Sequence, residues 1–153
     1  MKPIEFSAHL PASLRQELEA LFFFNPRQPE SREGIVATVE ELGAPIVVES
    51  GDRIWIGVPS VGTQCLFACE TQDGVQRPVG VVLYGRPQPD VIWIFHLAVD
   101  PGRVCGRLGA GVGWLLVEKV REIAGRMKGV ARIRLPYRKD RFLPVRSRPS
   151  PAG

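Results

Sequence analysis

The stretch VIWIFHLAVDPGRVCGRLGAGVGWLLVEKV, residues 91–120, decides how the rest of the chain is organised. Its first nine residues are almost unbroken apolar letters bounded by Asp90 and Asp100, the pattern of a strand buried on both faces in mid-sheet. Five glycines are then packed into residues 100–114. Beyond them, residues 113–129 read as a helix, with Leu116, Val120, Ile123 and Met127 along one side. Lys119, Arg121, Arg126 and Lys128 lie on its outer side, and Gly129 is expected to end it. The segment VARIRLPY, residues 130–137, supplies a further strand in which Val130, Ile133 and Leu135 alternate with arginines. Strand, glycine loop, helix and strand make a βαβ unit, expected to be parallel and right-handed.

Working back towards the start, residues 4–9 have a short strand pattern. Residues 13–23 predict a helix whose Leu14, Leu18, Leu21 and Phe22 share a face, with Ser13 and Gln16 spaced as a capping box. A second helix is expected over residues 31–43, with Gly43 as its stop. From Pro45 the texture turns to strand. A hairpin is expected around Gly51-Asp52, a strand at 64–72, a loop at Asp73-Gly74 and another strand at 79–85. The economical architecture is one α+β domain built on a single mixed sheet, over residues 1–143. Residues 144–153, rich in Pro, Ser and Arg, are expected to be a disordered basic tail.

The 153 residues suffice for one domain with a real core. No apolar run reaches the length of a membrane span, and the first residues lack the apolar centre of a signal peptide. Three cysteines, Cys65, Cys69 and Cys105, are too few and too irregular for a disulfide framework or a four-ligand zinc site, so no metal is expected. A reducing cytoplasm is the expected compartment. Net charge is +4, but residues 1–100 carry −6 and residues 101–153 carry +10. Such asymmetry points to an anionic partner for the later part. No nucleic-acid motif accompanies it, and a membrane partner is not expected.

Glycines at a strand-to-helix junction let an anion reach the unpaired first amides of the helix, where the dipole is positive. Arg103 and Arg107 add charge there. The competing explanation is a turn whose helix must pack closely on the sheet. Two familiar phosphate loops fail on spacing. Gly106 and Gly111 are followed by Val112 and Gly113 rather than Lys and Ser/Thr, and Trp114 stands where a dinucleotide fingerprint starting at Gly109 needs its last glycine.

Residues 91–135 instead resemble the central motif of the GNAT superfamily, the acyl-CoA-dependent N-acyltransferases. Leu97-Ala98-Val99-Asp100-Pro101 matches that family's strand end, and Gly109-x-Gly111 matches the last positions of its Arg/Gln-x-x-Gly-x-Gly/Ala loop. The resemblance is looser over residues 1–90. It implies a mostly antiparallel mixed sheet around the βαβ unit, helices on both faces, and a reduced C-terminal part. It also implies acetyl-CoA as donor, with the pantetheine arm along Leu97, Ala98 and Val99, the amides of Leu97 and Val99 polarising the thioester carbonyl. The diphosphate would be wrapped by Arg103, Gly106, Arg107, Leu108, Gly109, Ala110, Gly111, Val112 and Gly113. The activity implied is acetyl transfer to a primary amine of a small molecule or protein by direct attack. A catalytically silent acyl-CoA-binding or regulatory module is the alternative.

The chain departs from the family at three places. Gly106 stands at the motif's Arg/Gln position, with Arg107 one place late. Trp93 and Phe95 occupy the strand positions where family members often carry a Glu or His base. His96 is the adjacent candidate, although strand alternation turns it to the opposite face. Tyr137 is the candidate acid for the departing thiolate. Lastly, about sixteen residues follow Tyr137, where the family continues with a helix and two strands. The open sheet edge this leaves would be accounted for by a homodimer or a truncated gene.

Overall fold

The computed structural model describes residues 4–21, 40–41, 43, 45–58, 62–100, 111–135 and 142–145. The main sheet has six strands in the spatial order β1 (Ile4–Ser7), β5 (Gln64–Gln72), β6 (Val75–Gln88), β7 (Val91–Val99), β8 (Arg132–Arg134) and β9 (Phe142–Pro144). All neighbours are antiparallel except β7 and β8, which are parallel and joined through helix α2 (Val112–Gly125). The architecture is therefore α+β with a mostly antiparallel sheet and few helices. The central apolar run lies fourth of six, where its pattern put it.

The hairpin after Pro45 does form, but it does not join the main sheet. Strands β3 (Ile46–Ser50) and β4 (Arg53–Gly57) turn through Gly51 at φ +63°, and β4 pairs on its other edge with the two-residue β2 (Leu10–Pro11). The single mixed sheet expected from the sequence is thus two sheets. The small sheet and helix α1 (Arg15–Leu21) pack on one face of the large one. Leu10, Leu14, Leu18, Ile54, Ile56 and Val58 meet Cys65, Phe67, Cys69, Val81, Leu83 and Phe95 there. The other face is covered by α2, whose Val112, Leu116, Val117, Val120 and Ala124 meet Leu66, Ala68, Val82, Tyr84, Ile92 and Ile94. Helices cover both faces.

Three local expectations are corrected. The first helix is capped by Pro11, in extended backbone at φ −61° and ψ 144°, and begins with a tight turn over Ala12–Leu14. Ser13 lies inside that turn, so the capping box does not form. The amide of Ala12 donates instead to Asp52 O at 2.7 Å, a tertiary bond that fixes where the helix starts. Helix α2 ends at Gly125 rather than at Gly129, because the Arg126 amide turns back to Ile123 O at 3.1 Å. Gly129 sits in the following turn at φ +86°. Arg86 braces that turn by donating to Pro89 O and Lys128 O. The second expected helix falls mostly outside the described residues, although Glu40 and Glu41 are helical and Gly43 has φ +98°.

Asp73-Gly74 makes a tight hairpin turn with both residues at positive φ, 53° and 77°. Strand β6 is longer than its letters suggest, because Pro78 sits in mid-sheet beside a bulge at Val79, between the pairs Ala68–Gly80 and Cys69–Pro78. A bulge is where a central strand tolerates a proline. At the far edge β9 runs across position 143, and the Val145 amide donates to Ala131 O at 3.2 Å. Residues 146–153 lie outside the described part.

Cys65 and Cys69, four apart on β5, face the same core. Burial pushes the Cys65 thiol up to about 12 and the Cys69 thiol up to about 11. Both are expected to resist iodoacetamide at pH 8 in the folded protein and to react in denaturant, read by peptide mass mapping. Labelling of either without denaturant would contradict this packing. Folding raises both values above the ordinary 9.0, so the unfolded chain gives up these protons first. The contribution to stability is complete below about 9 and declines as pH rises towards 11. Tyr84, also raised by burial, works in the same direction.

Candidate functional site

Strand β7 is held differently on its two edges. Against β6 it is paired along nearly its whole length, with Leu97, Ala98 and Val99 opposite Val82, Val81 and Gly80. Against β8 the parallel ladder comprises Val91–Arg132, Ile92–Ile133 and Trp93–Arg134, and β8 stops there. The strand runs on to Val99 and leads towards the start of α2. A strand that leaves its parallel neighbour part-way along is suited to receive an extended ligand by edge pairing.

The register also corrects the expected direction of His96. Leu83 is opposite His96, but Tyr84 is opposite Ile94, so Phe95 is an extra residue bulged out of β7. Directly opposed residues of an antiparallel pair share a face. Leu83 belongs to the core under α1, as do Phe95 and its packed neighbour Trp93. His96 is therefore turned to the same face as Trp93 and Phe95, whereas simple alternation would send it to the α2 side. It is buried, at 6% exposure.

At the other end of the strand, α2 begins with Gly111 at φ +90° and ψ −179°, backbone that only glycine adopts at ease. The Leu115 amide donates to Gly111 O at 3.2 Å as the first helical bond. Among the described residues no side chain caps this end, and the first turn holds no acidic residue. Close packing does not account for the neighbouring glycine. A Cβ added to Gly113 would lie 3.4 Å from Val99 Cγ2 and 3.7 Å from Leu97 Cδ2, ordinary contact distances. The close approach of helix to sheet is made at Gly80, where an added Cβ would come within 2.7 Å of Val112 Cγ1 and 2.9 Å of Leu116 Cδ1. Val112 itself is a core side chain, so only its backbone could meet a ligand.

The structure thus brings Leu97, Ala98, Val99, Gly111, Val112 and Gly113 to one corner at the end of β7, with His96 a step back along the strand. Arg103, Gly106, Arg107, Leu108, Gly109 and Ala110, together with Cys105, Tyr137 and Phe22 to Phe24, lie outside the described residues. Trp55 is half-buried and packs against the core.

Sequence reading missed a group of packed rings and cations. Trp93 and Phe95 have ring centroids 4.7 Å apart at 57°, and the Arg134 guanidinium lies 4.5 Å over Trp93. The signal was the Arg-x-Arg of residues 132–134, which alternation places on one face of β8. Also missed was the pairing of the cations on and just after α2 with its glutamates. Arg121 pairs with Glu118 at 2.7 Å, and Glu122 pairs with Arg126 at 2.8 Å and Lys119 at 3.5 Å. No protein-family model, no curated protein and no solved structure matches this chain.

Proposed function

We propose that this chain is an acyl-CoA-dependent N-acyltransferase of the GNAT kind, a cytoplasmic protein that moves an acetyl group from acetyl-CoA to a primary amine. The observation that carries the reading is the corner where β7, having left β8 after Trp93, leads to the acid-free start of α2, which no described side chain caps. The residues present suit a diphosphate. Gly111 has no Cβ, and no carboxylate in the first turn competes for the amides. Leu97, Ala98 and Val99 would hold the pantetheine arm, and the amides from Gly111 to Gly113 the diphosphate. When bound, the thioester supplies an acyl carbon activated for attack.

An amine is protonated at neutral pH and must lose a proton before it can attack. His96 would take that proton, being turned to the face away from α2. The C–N bond then forms as the C–S bond breaks. The second ammonium proton leaves with the sulfur as thiol, and His96 returns its own to solvent. The silent-module alternative draws on Trp93 and Phe95, two packed rings on strand positions where the family often carries its base.

Trp114 tests the donor site. It is 36% exposed in the first turn of α2. A glutamate there complements the helix dipole and should leave thermal stability equal or higher. It would repel a diphosphate, so Trp114→Glu is expected to weaken coenzyme A binding about tenfold, measured by calorimetry at low salt. Absence of saturable binding to the wild type, or equal affinity in both proteins, would refute the donor site. Thiol release across a panel of amines then separates enzyme from silent module.

A further inference from the structure

Two groups stand out among the described cations after residue 100. Those at 119 and 121 on α2, and at 126 just beyond its end, pair with Glu118 and Glu122. Arg132 and Arg134 on β8 meet no carboxylate among the described residues. Each lies over an aromatic ring instead, Arg132 4.4 Å from the Phe142 centroid and Arg134 4.5 Å from that of Trp93. The register lines up Trp93, Arg134 and Phe142 across three strands, with Arg132 beside them opposite Val91 and Pro144. Residues opposed across a ladder share a face, so all four lie on the side of the sheet that carries Phe95 and His96, away from α2.

We infer that this ring-and-guanidinium surface is the acceptor subsite, and that the acceptor is a small amine which itself carries an oxyanion, a carboxylate or a phosphate. The inference rests on the transferase reading, which puts the donor's diphosphate at the start of α2 and leaves the opposite face for the acceptor. A guanidinium stacked on a ring gives up much of its rotamer freedom while its in-plane N–H donors stay directed outwards. It is thereby prepared for bidentate pairing with an oxyanion. Two such groups at i and i+2 of a strand stand roughly 7 Å apart, a span one substituted amine can bridge. Arg132 on β8 and Phe142 on the edge strand β9 are exposed, whereas Arg134, two residues along β8, and Trp93 on β7 are half-buried. That gradient suits one end of a small molecule better than the flat platform along which a polymer would lie.

The test compares amines in pairs that differ only in the anion: phenylalanine with phenethylamine, and O-phosphoethanolamine with ethanolamine. Each is assayed for thiol release from acetyl-CoA and for direct binding to the coenzyme A-loaded protein. One or both anionic members are expected to exceed their neutral counterparts about tenfold or more in kcat/KM, and the pair that does so tells carboxylate from phosphate. Arg134→Gln should remove most of that preference, and Arg134→Lys should restore it only in part. Binding of the preferred amine should quench tryptophan fluorescence in the wild type and not in Trp93→Phe.

Neutral amines preferred throughout, or equal losses for both members of a pair in Arg134→Gln, would overturn the inference while leaving a working transferase. No coenzyme A binding and no thiol release would overturn the transferase reading. Charge-dependent amine binding would then survive as an isolated anion site, and its absence would remove that as well. Salt-sensitive binding of a single-stranded oligonucleotide, lost in Arg132→Gln and Arg134→Gln, would reassign the surface to nucleic acid and sink the small acceptor.

Discussion

Replacing His96 by glutamine is expected to lower kcat for thiol release about a hundredfold or more, with coenzyme A affinity changed by no more than about twofold. Glutamine keeps hydrogen-bonding capacity at a similar length, so the fold loses little, but it does not accept a proton near neutrality. The deciding readout is the pH profile. Rate in the wild type should climb with pH as the imidazolium gives up its proton, and that limb should vanish in His96→Gln. A residual rate that rises with pH in step with the free amine fraction of the acceptor would mark attack by amine that deprotonates in solution. A purely packing histidine gives a different pattern: lower thermal stability, an unchanged profile, and kcat within a fewfold of wild type.

The role open to His96 depends on a feature that no letter of the sequence announces. The apolar run over residues 91–99 identifies a central strand, and Asp90 and Asp100 bound it correctly. Alternation along such a run assumes an uninterrupted pleat. The extra residue at Phe95 resets the phase, so that Trp93, Phe95 and His96 share one face while Leu97 and Val99 fall on the other. Bulges are settled by what two strands must fit between them, and neither strand alone encodes that. Pro78 is a partial exception. A proline inside an otherwise apolar stretch signals a bulge or an edge, and here it sits beside a bulge.

The small sheet was illegible for a related reason. Its β2 is two residues long and exists because β4 offers it an edge, and the Ala12 amide bonding to Asp52 O also displaced the expected start of α1. Local patterns fared better where the chemistry is local. Asp73-Gly74 turns at positive φ, and the apolar side of α2 is buried as its spacing required. Of the candidate site, the strand end and the start of α2 were readable from glycine placement. The stacked arginines were not, because their partners lie 41 and 10 residues away in sequence, at Trp93 and Phe142.

Gly85→Ala is expected to be the most damaging single-methyl change in the central strands, costing about 1–3 kcal/mol. Its added Cβ would lie 2.7 Å from Phe95 Cε2 and 2.8 Å from Gly62 O, distances that real Cβ contacts do not reach. Neither neighbour can yield easily. The Gly62 oxygen belongs to backbone, and the Phe95 ring is backed by Trp93 at 4.7 Å, which in turn lies under Arg134. Gly80→Ala is the matched comparison, since its close contacts are the methyl ends of Val112 and Leu116, which can rotate or shift. It should cost less, even though its nearest distance is the same 2.7 Å. For a chain of this size, the Gly85 variant should melt roughly 3–10 °C below the wild type by calorimetry. If the bulge sets the direction of His96, pushing Phe95 aside should also lower kcat in Gly85→Ala by more than the loss of folded protein explains. A melting point unchanged in Gly85→Ala, or lower in Gly80→Ala than in Gly85→Ala, would contradict the close contact at the bulge.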